Sequence, residues 1–219
     1  MSTTGAAAAP RRTQAERRAA TTAALLDAAL DTLVERGSAG FTTTEVCSRA
    51  GLSQGALFRY FPTKVELLAA VCEHLFDELR ATYEQRFVDL PPSRRTIPHA
   101  LDLLWSAMTD PRLGSAFDLY TDARTDEALR EGIAPVVRAH LDRIADLGRR
   151  LLDELGIPTD DAARAAVELA IQAMQGHVLN GMVVPDPDAR KRLDEVLARI
   201  VPALLPRPTD GTDGGEEDR

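Results

Sequence analysis

The side chains best suited to contact another molecule lie close together in the first third of the chain. Gln54 can form two hydrogen bonds with the edge of an adenine, and Arg59 can bind a guanine or a phosphate. Tyr60 and Lys64 can donate hydrogen bonds to phosphates. Gly55 has no side chain that would hold the backbone away from a duplex. This combination predicts a surface that contacts DNA.

Helix-start and helix-stop signals around these residues predict the elements that position them. Thr42 and Glu45 have the spacing of a capping box, in which the two side chains bond each other's backbone amides. Gly51 can adopt the left-handed conformation that ends a helix, and Ser53 is a natural N-cap for the next one. Pro62 then ends the second helix, because the residue before a proline avoids the α region. Two short helices around a tight turn form a helix-turn-helix.

The second of these helices, over residues 54–60, is the predicted reader of the DNA. Leu57 and Phe61 share one face at helical spacing and anchor the helix inward, so its opposite face remains free. A second capping box, Thr63 and Glu66, begins a long helix directly afterwards. The alternative is a helical corner packed inside an unrelated protein. The order of caps, turn glycine, glutamine, arginine and proline favours the DNA-contacting interpretation.

This stretch resembles the N-terminal domain of TetR-type transcriptional regulators over about residues 13 to 72. The residues that match the family pattern are Thr42, Thr43, Val46, Cys47, Ala50, Gly51, Leu52, Ser53, Leu57, Phe58, Arg59, Tyr60, Phe61, Lys64, Leu67 and Leu68. The resemblance implies base contacts from Gln54, Gly55 and Phe58. The phosphate contacts that it implies are those of Thr43, Ala56, Arg59, Tyr60 and Lys64. The complete predicted DNA-contacting set is Thr42, Thr43, Ser53, Gln54, Gly55, Ala56, Phe58, Arg59, Tyr60 and Lys64.

Helical hydrophobic spacing continues through the rest of the chain, and strand-like alternation is nearly absent. The predicted fold class is all-α: an N-terminal three-helix helix-turn-helix DNA-binding domain joined by a long fourth helix to a C-terminal helical effector-binding and dimerisation domain. The predicted helices outside the motif span residues 13–36, 63–87, 95–109, 112–124, 126–155, 160–182 and 188–200. The predicted regions are a disordered basic arm (1–12), the DNA-binding domain (13–72), the effector-binding and dimerisation domain (73–205) and a disordered acidic tail (206–219).

The charge distribution agrees with a DNA-facing N-terminal part. The chain carries a net charge of −8, which by itself argues against a nucleic-acid partner. Residues 1–64 nevertheless hold eight basic and five acidic side chains, a net charge of +3. The remainder holds 18 basic and 29 acidic side chains, a net charge of −11. Phosphates would attract the first part and repel the second, which would orient the protein on a duplex.

Large side chains in the C-terminal part predict a small-molecule pocket between helices, the usual place for one in a helical protein. The candidate lining residues are Trp105, Met108, Phe117, Tyr120, Met174 and His177. The alternative for each of them is an ordinary place in the core, where large apolar residues are normally found.

The last two predicted helices carry apolar stripes that predict a homodimer. The first stripe consists of Ala162, Ala165, Ala166, Leu169, Ala173 and Gly176. The second consists of Leu193, Val196, Leu197 and Ile200. A two-fold four-helix bundle between protomers would cover both stripes, and a two-fold dimer suits a palindromic site. The alternative is that both stripes close the core of the protomer.

Other classes of protein are disfavoured. Cys47 and Cys72 indicate a reducing cytosol rather than a disulfide framework, and a redox pair is the alternative to two buried apolar residues. The four histidines lack metal-ligand spacing, and the sequence has no nucleophile elbow, phosphate-binding glycine loop or redox Cys-x-x-Cys. Neither a signal peptide nor a stretch of spanning length is evident. We expect no enzyme activity, no cofactor, no metal and no membrane contact.

The predicted function is therefore sequence-specific transcriptional regulation. We expect a cytoplasmic homodimer that represses transcription by binding a palindromic double-stranded DNA operator, and that a small-molecule effector releases from it. An effector that prefers another conformation would move the long fourth helix and change the spacing of the two readers. The alternative is a helical small-molecule-binding protein that does not bind DNA.

Overall fold

The computed structural model describes residues 13–205. Within that range the protein consists of helices joined by short loops, and it contains no β-strand. The all-α class predicted from the hydrophobic spacing is therefore confirmed. The predicted arm (1–12) and tail (206–219) lie outside the described residues. None of the described helices combines the length and apolar character that crossing a bilayer requires.

Nine α-helices in the described residues are numbered here in chain order. They are α1 (Gln14–Gly40), α2 (Thr43–Ala50), α3 (Gln54–Tyr60), α4 (Lys64–Val88), α5 (Ile97–Met108), α6 (Leu113–Ala123), α7 (Glu127–Glu154), α8 (Asp161–Gly181) and α9 (Pro187–Leu204). A single 3-10 turn, Pro92–Arg94, separates α4 from α5 and was not predicted. Every predicted helix is present, with ends that differ by a few residues.

Two helix ends differ from the prediction for local reasons. α1 runs to Gly40 instead of Arg36, but Gly37 has a φ of 65° and a ψ of 176°, so regular helix is interrupted where the glycine had predicted an end. α9 runs to Leu204 and includes Pro202. A proline in a last turn removes only one backbone hydrogen bond, so the helix continues past the predicted end.

The chain divides after Val71 into two compact units. We call residues 13–71 the head and residues 72–205 the body. The head contains α1, α2, α3 and the start of α4, and the body contains the rest of α4 and α5 to α9. α4 is thus the covalent link between the two units.

The head has a buried apolar core built from amphipathic helices. α1 packs against α2, and α2 packs against α3. α1 begins with a complete capping box: the Glu16 amide donates to Thr13 Oγ1 at 3.2 Å, and the Thr13 amide donates to Glu16 Oε2 at 2.7 Å. The buried apolar side chains of the head are Leu25, Ala28, Ala29, Leu30, Leu33, Phe41, Val46, Cys47, Leu57, Leu67, Leu68 and Val71.

The body is built around α8, which packs against α5, α7 and α9. Aspartate N-caps begin its last three helices. Asp126 and Asp160 each accept a hydrogen bond from the amide three residues further on, at 3.0 and 2.9 Å, and Asp186 accepts from two amides. These carboxylates also lie at the positive ends of the helix dipoles. The largest fully buried side chains of the body are Trp105, Phe76, Phe87, Leu75, Leu119 and Met174.

Candidate nucleic-acid interface and ligand cavity

A tight turn joins α2 to α3. Gly51 ends α2 in the left-handed region, with a φ of 65° and a ψ of 31°. The Leu52 amide donates to the Cys47 carbonyl oxygen at 3.0 Å, which closes the turn. Ser53 then caps α3, since its Oγ accepts from the Ala56 amide at 3.1 Å. These local contacts fix the direction in which α3 leaves the turn.

The seven residues of α3 form one buried side and one exposed side. Leu57 is fully buried and anchors the helix in the head. The exposed side consists of Gln54, Gly55, Phe58 and Arg59. Phe58 is 41% exposed, so an aromatic ring lies beside the polar groups. A recognition helix contacts base edges with its N-terminal residues, and here that end presents a glutamine and a glycine.

One contact within the motif was not predicted. Gln54 Nε2 donates to Thr44 Oγ1 at 2.7 Å and so joins the start of α3 to α2. The bond leaves the amide oxygen and the second amide proton of Gln54 available, which are the acceptor and donor that an adenine edge requires. Thr44 therefore orients the predicted base-reading side chain. Its sequence signal, a threonine ten positions earlier, is too general to identify this role.

Tyr60 and Lys64 are held by contacts inside the head. Lys64 Nζ donates to the Phe41 carbonyl oxygen at 3.0 Å and lies 5.4 Å from the centroid of the Phe41 ring. The Arg18 guanidinium lies 5.0 Å from the centroid of the half-buried Tyr60 ring. Arg18, which the motif did not indicate, places a positive charge beside the predicted phosphate-contacting tyrosine.

The start of α2 supplies a cap and backbone donors. Thr42 Oγ1 accepts from the Glu45 amide at 3.2 Å, and the Glu45 carboxylate accepts from Arg49 Nε at 3.2 Å. Thr43 and Ala56 lie half-buried in the first turns of α2 and α3. Amides in the first turn of a helix have no intrahelical acceptor, so these positions can offer backbone N–H groups to a phosphate.

The charges of the described head are balanced. Residues 13–71 hold six basic and six acidic side chains. Arg49 is paired with Glu35, and its hydrogen bond lowers the pKa of the Glu35 carboxyl below the ordinary value. Two of the three net positive charges counted in the N-terminal part belong to Arg11 and Arg12, which lie outside the described residues. The distribution of charge on the surface therefore matters more than the net charge.

An apolar cavity of about 90 Å³ lies in the body and is lined by residues of α4, α5, α6, α7 and α8. Most of its lining side chains are aliphatic, and its polar ones are Arg80, Tyr83 and His140. The Tyr83 hydroxyl donates to the Ala100 carbonyl oxygen at 3.2 Å, and burial raises its pKa. Of the six predicted pocket residues, Met108 is the one that lines this cavity.

The other five predicted pocket residues occupy other places in the body. Trp105 is buried and meets His177 edge-on, with 5.3 Å between the ring centroids. Phe117 and Tyr120 also meet edge-on, at 6.1 Å, and burial raises the pKa of Tyr120. Met174 is fully buried in α8. Their contacts fill space between helices, as large apolar residues usually do.

A larger cleft of about 780 Å³ runs along α7 and α8. Charged side chains of both signs line it, and they pair with one another. Arg149 lies 2.7 Å from Asp146, and Arg164 lies 3.0 Å from Glu168. Exposed pairs of this kind interact weakly and remain hydrated. Between them, aliphatic side chains such as Leu141, Ile144 and Val167 also line the cleft, so its wall is mixed.

Two sequence families match the chain. The family described as bacterial regulatory proteins, tetR family, matches residues 25–71. The family described as tetracyclin repressor-like, C-terminal domain, matches residues 93–203. The first match contains α2 and α3, and the second contains α5 to α8 and all of α9 except its last residue. Both units of the protein thus have a counterpart in the same group of regulators.

Individual relatives agree with these matches. An uncharacterized HTH-type transcriptional regulator of Mycobacterium tuberculosis is 30% identical over 194 residues, covering 89% of this chain and 99% of the relative. The HTH-type transcriptional regulator CymR of Pseudomonas putida is 38% identical over 152 residues, covering 69% of this chain and 75% of CymR. The solved structure of a TetR-family regulator from Rhodococcus sp. has the same fold, with a TM-score of 0.68 and 20% identity over 84% of this chain and 99% of that one.

The fold, the helix-turn-helix and the relatives lead to one assignment. Regulators of this kind bind DNA operators and small-molecule effectors and typically form dimers. The chain belongs to the TetR family of bacterial transcriptional regulators and is a DNA-binding regulator with an N-terminal helix-turn-helix.

Proposed function

We propose that this regulator is a cytoplasmic homodimeric repressor that binds a palindromic operator and leaves it when a small molecule binds the body. The observation that carries the proposal is the exposed side of α3. There, Gln54, Phe58 and Arg59 project from a short helix whose opposite side is fixed by the buried Leu57. A hydrogen-bonding side chain, an aromatic ring and a cation on one rigid face suit the edges and phosphates of a major groove.

The predicted contacts divide into two kinds. Gln54, Gly55 and Phe58 would contact base edges, because the first two lie at the start of α3 and Phe58 lies one turn further along the same exposed side. Arg59 and Tyr60 would contact phosphates from the end of the same helix. The remaining phosphate contacts would come from Thr42, Thr43, Ser53, Ala56 and Lys64. This division means that variants of the first group should change sequence preference, and variants of the second group should change affinity alone.

Exposed apolar side chains on α8 and α9 support dimerisation through these helices. Leu169 is 45% exposed, and Val196 and Ile200, one turn apart on α9, are 46% and 42% exposed. Ala166 and Leu197, by contrast, are buried within the protomer. Only part of the two predicted stripes is therefore free for a partner. A two-fold bundle of α8 and α9 from each protomer would cover that part.

α4 supports the proposed release mechanism, because it is one continuous helix from Lys64 in the head to Val88 in the body. Two readers about 34–36 Å apart would occupy successive major grooves on one side of the duplex. An effector that binds a different body conformation more tightly would change this spacing. A coupling free energy of about 1–3 kcal/mol would reduce operator affinity about 5- to 150-fold.

Selection of bound duplexes from a random pool at moderate salt tests the proposed operator. We expect a palindromic or near-palindromic motif whose half-site spacing corresponds to about one helical turn. Under the alternative function, a helical small-molecule-binding protein that does not bind DNA, no sequence would be enriched and no duplex would be bound with a salt-dependent affinity. A folded, dimeric protein with no enriched sequence would contradict the operator proposal.

Two substitutions on α3 test the division into base and phosphate contacts. Gln54→Ala should change preference at one base pair, at a cost of about 1–3 kcal/mol for the preferred operator. Tyr60→Phe removes the hydroxyl but keeps the ring beneath Arg18, so it should weaken binding equally on every sequence. Affinities for the selected operator and its single-base variants measure both effects. If Gln54→Ala lost the same binding affinity on all sequences, Gln54 would not be the residue that reads the base.

The dimer surface is tested by changing its exposed side chains. The double variant Val196→Glu and Ile200→Glu should sediment as a monomer, because like charges would face each other across a two-fold axis. Ala81→Glu, on an exposed part of α4, is the matched control and should leave the dimer intact. Analytical ultracentrifugation distinguishes the two states. A dimeric double variant would assign the interface to other surfaces.

A further inference from the structure

Gln54 has a side-chain amide that could be presented to DNA in two orientations. It is the first residue of α3 and lies exposed. The terminal torsion of a glutamine side chain is broad and roughly two-fold, so a free amide presents its oxygen or its nitrogen with similar ease. The oxygen accepts hydrogen bonds and the nitrogen donates them, so the two orientations suit different bases. A glutamine that reads one base therefore needs a contact that fixes its orientation.

Thr44 provides such a contact. Gln54 Nε2 donates to Thr44 Oγ1 at 2.7 Å, so the amide nitrogen is held at α2. This bond uses one of the two amide protons and leaves the lone pairs of the amide oxygen in place. The oxygen and the remaining proton are then the groups that Gln54 can offer to a base.

Thr44 is itself held by a short, well-fixed helix. It is the second residue of α2, which the buried Val46 and Cys47 anchor in the head. The start of α2 is capped by Thr42, whose Oγ1 accepts from the Glu45 amide at 3.2 Å. A threonine is branched at Cβ, so its side chain takes few rotamers on a helix. The hydroxyl of Thr44 is therefore a rigid partner for a flexible amide.

The fixed orientation selects among the bases of a major groove. Adenine presents the N6 donor beside the N7 acceptor, and these match the oxygen and the remaining proton of Gln54. Guanine presents the acceptors N7 and O6, and thymine presents O4, so an amide oxygen directed at either base would meet another acceptor. Cytosine offers only the N4 donor. An amide turned the other way would favour guanine or thymine instead.

We propose that Thr44 is a specificity-determining residue: by holding Gln54 Nε2, it makes Gln54 read adenine and reject guanine and thymine. This inference rests on the proposed function, because it concerns the operator that α3 would bind. Thr44 acts here as a positioning residue, through Gln54 and without a base contact of its own. Because the amide is ordered before DNA arrives, less side-chain freedom is lost on binding.

Substitutions that keep or remove the Thr44 hydroxyl test this role in the full-length protein. The base pair to follow is the one at which Gln54→Ala loses its preference. Thr44→Val keeps the branched shape without the hydroxyl, and it should reduce the preference for adenine over guanine there about tenfold, since a bidentate contact discriminates by about 5- to 150-fold. Thr44→Ser keeps the hydroxyl and should retain the preference. Fluorescence anisotropy with the selected operator and its variants at this pair measures the ratios.

Two controls separate orientation of the amide from other effects. In the Gln54→Ala background, Thr44→Val should leave base preference unchanged, because no amide remains to be oriented. Ser48→Ala removes an exposed hydroxyl from the next turn of α2 and should leave the preference at this pair unchanged. Thr44 is exposed, so Thr44→Val should unfold at the same temperature as the wild type. If Thr44→Val does not fold, Thr44→Ala makes the same test with a stronger helix former.

Several results would overturn the inference. An unchanged preference in Thr44→Val, or in Gln54→Ala, would show that this pair of residues does not set it. A change of preference by Thr44→Val in the Gln54→Ala background would mean that Thr44 contacts a base itself, and equal losses on every sequence would assign it to a phosphate. A wild-type preference for guanine or thymine would show the reversed amide orientation. With an enriched operator, each of these results contradicts this inference alone, whereas a protein that enriches no duplex contradicts the proposed function, and the inference falls with it.

Discussion

The head and the body use opposite means to position their functional groups. In the head, α3 is held by a glycine turn, a serine cap and one buried leucine, all within seven consecutive positions from Gly51 to Leu57. In the body, the cavity is lined by side chains from helices far apart in the chain. The contact surface of the head is therefore specified locally, and the cavity is specified by packing between helices.

This difference determines whether a single substitution can change ligand or DNA contacts without also changing the stability of the fold. Leu57 and Phe58 are neighbours in sequence, yet the first is buried and the second is exposed. In the body, Arg80 both pairs with carboxylates that join α4 to α7 and lines the cavity. Single substitutions should therefore separate structure from contact in the head, whereas in the body most changes to the cavity wall affect both.

The largest expected effect is the loss of the α3 anchor. Leu57→Ala should reduce the free energy of unfolding by about 2–5 kcal/mol, because it removes a fully buried leucine and leaves a cavity. Phe58→Ala is the neighbouring control and should change stability by less than about 0.5 kcal/mol while weakening operator binding. Urea unfolding followed by circular dichroism measures the first effect. Equal destabilisation by the two variants would mean that the exposed side of α3 contributes to stability as much as its buried side.

The next largest expected effect is a pH dependence of the free energy of unfolding, caused by a histidine in the body. His140 has a pKa of about 4 in the folded protein, because it is buried beside Arg80, against an ordinary value of about 6.5. As the pH falls below about 6.5, the unfolded chain binds the proton first, so stability is lost between that pH and about 4. The expected loss between pH 7 and pH 5 is about 2 kcal/mol.

Urea unfolding at the two pH values, compared with His140→Leu, isolates this contribution. The variant cannot take up the proton, so its stability should depend less on pH by about the same 2 kcal/mol. Operator binding at pH 7 should be similar in both proteins, because His140 lies in the body and is neutral there. An unchanged pH dependence in the variant would show that other groups cause it.

The contrast between local and inter-helix contacts also explains how much of each region the sequence predicts. The cap at Ser53 and the turn at Gly51 depend on residues within a few positions, and both occur where the motif predicts them. The bond from Gln54 to Thr44 and the contact of Arg18 with Tyr60 depend on how helices pack, and they were missed.

The cavity was the least predictable feature for the same reason. The residue types of Trp105 and Phe117 predict a place in a pocket wall, but large side chains fill space as readily as they line it. Among the six candidates, Met108 alone lines this cavity. The cavity arises from the way α4 to α8 pack around it, which no pattern in the sequence indicates. The distances between those helices are fixed only in the folded chain.

The smallest expected effect is the loss of one helix cap, which can be compared between the head and the body. Ser53→Ala and Asp160→Ala each remove a side-chain acceptor for a first-turn amide, at 3.1 and 2.9 Å, so each should cost about 1 kcal/mol of stability. Their effect on operator affinity should differ. α3 has only seven residues, so a frayed first turn displaces Gln54 and Gly55 themselves, whereas α8 has 21 residues and begins in the body. Unfolding measurements combined with operator affinities should therefore show matched losses of stability and a loss of affinity for Ser53→Ala alone. If Asp160→Ala weakened operator binding equally, the orientation of α3 would depend on the body as well as on its own cap.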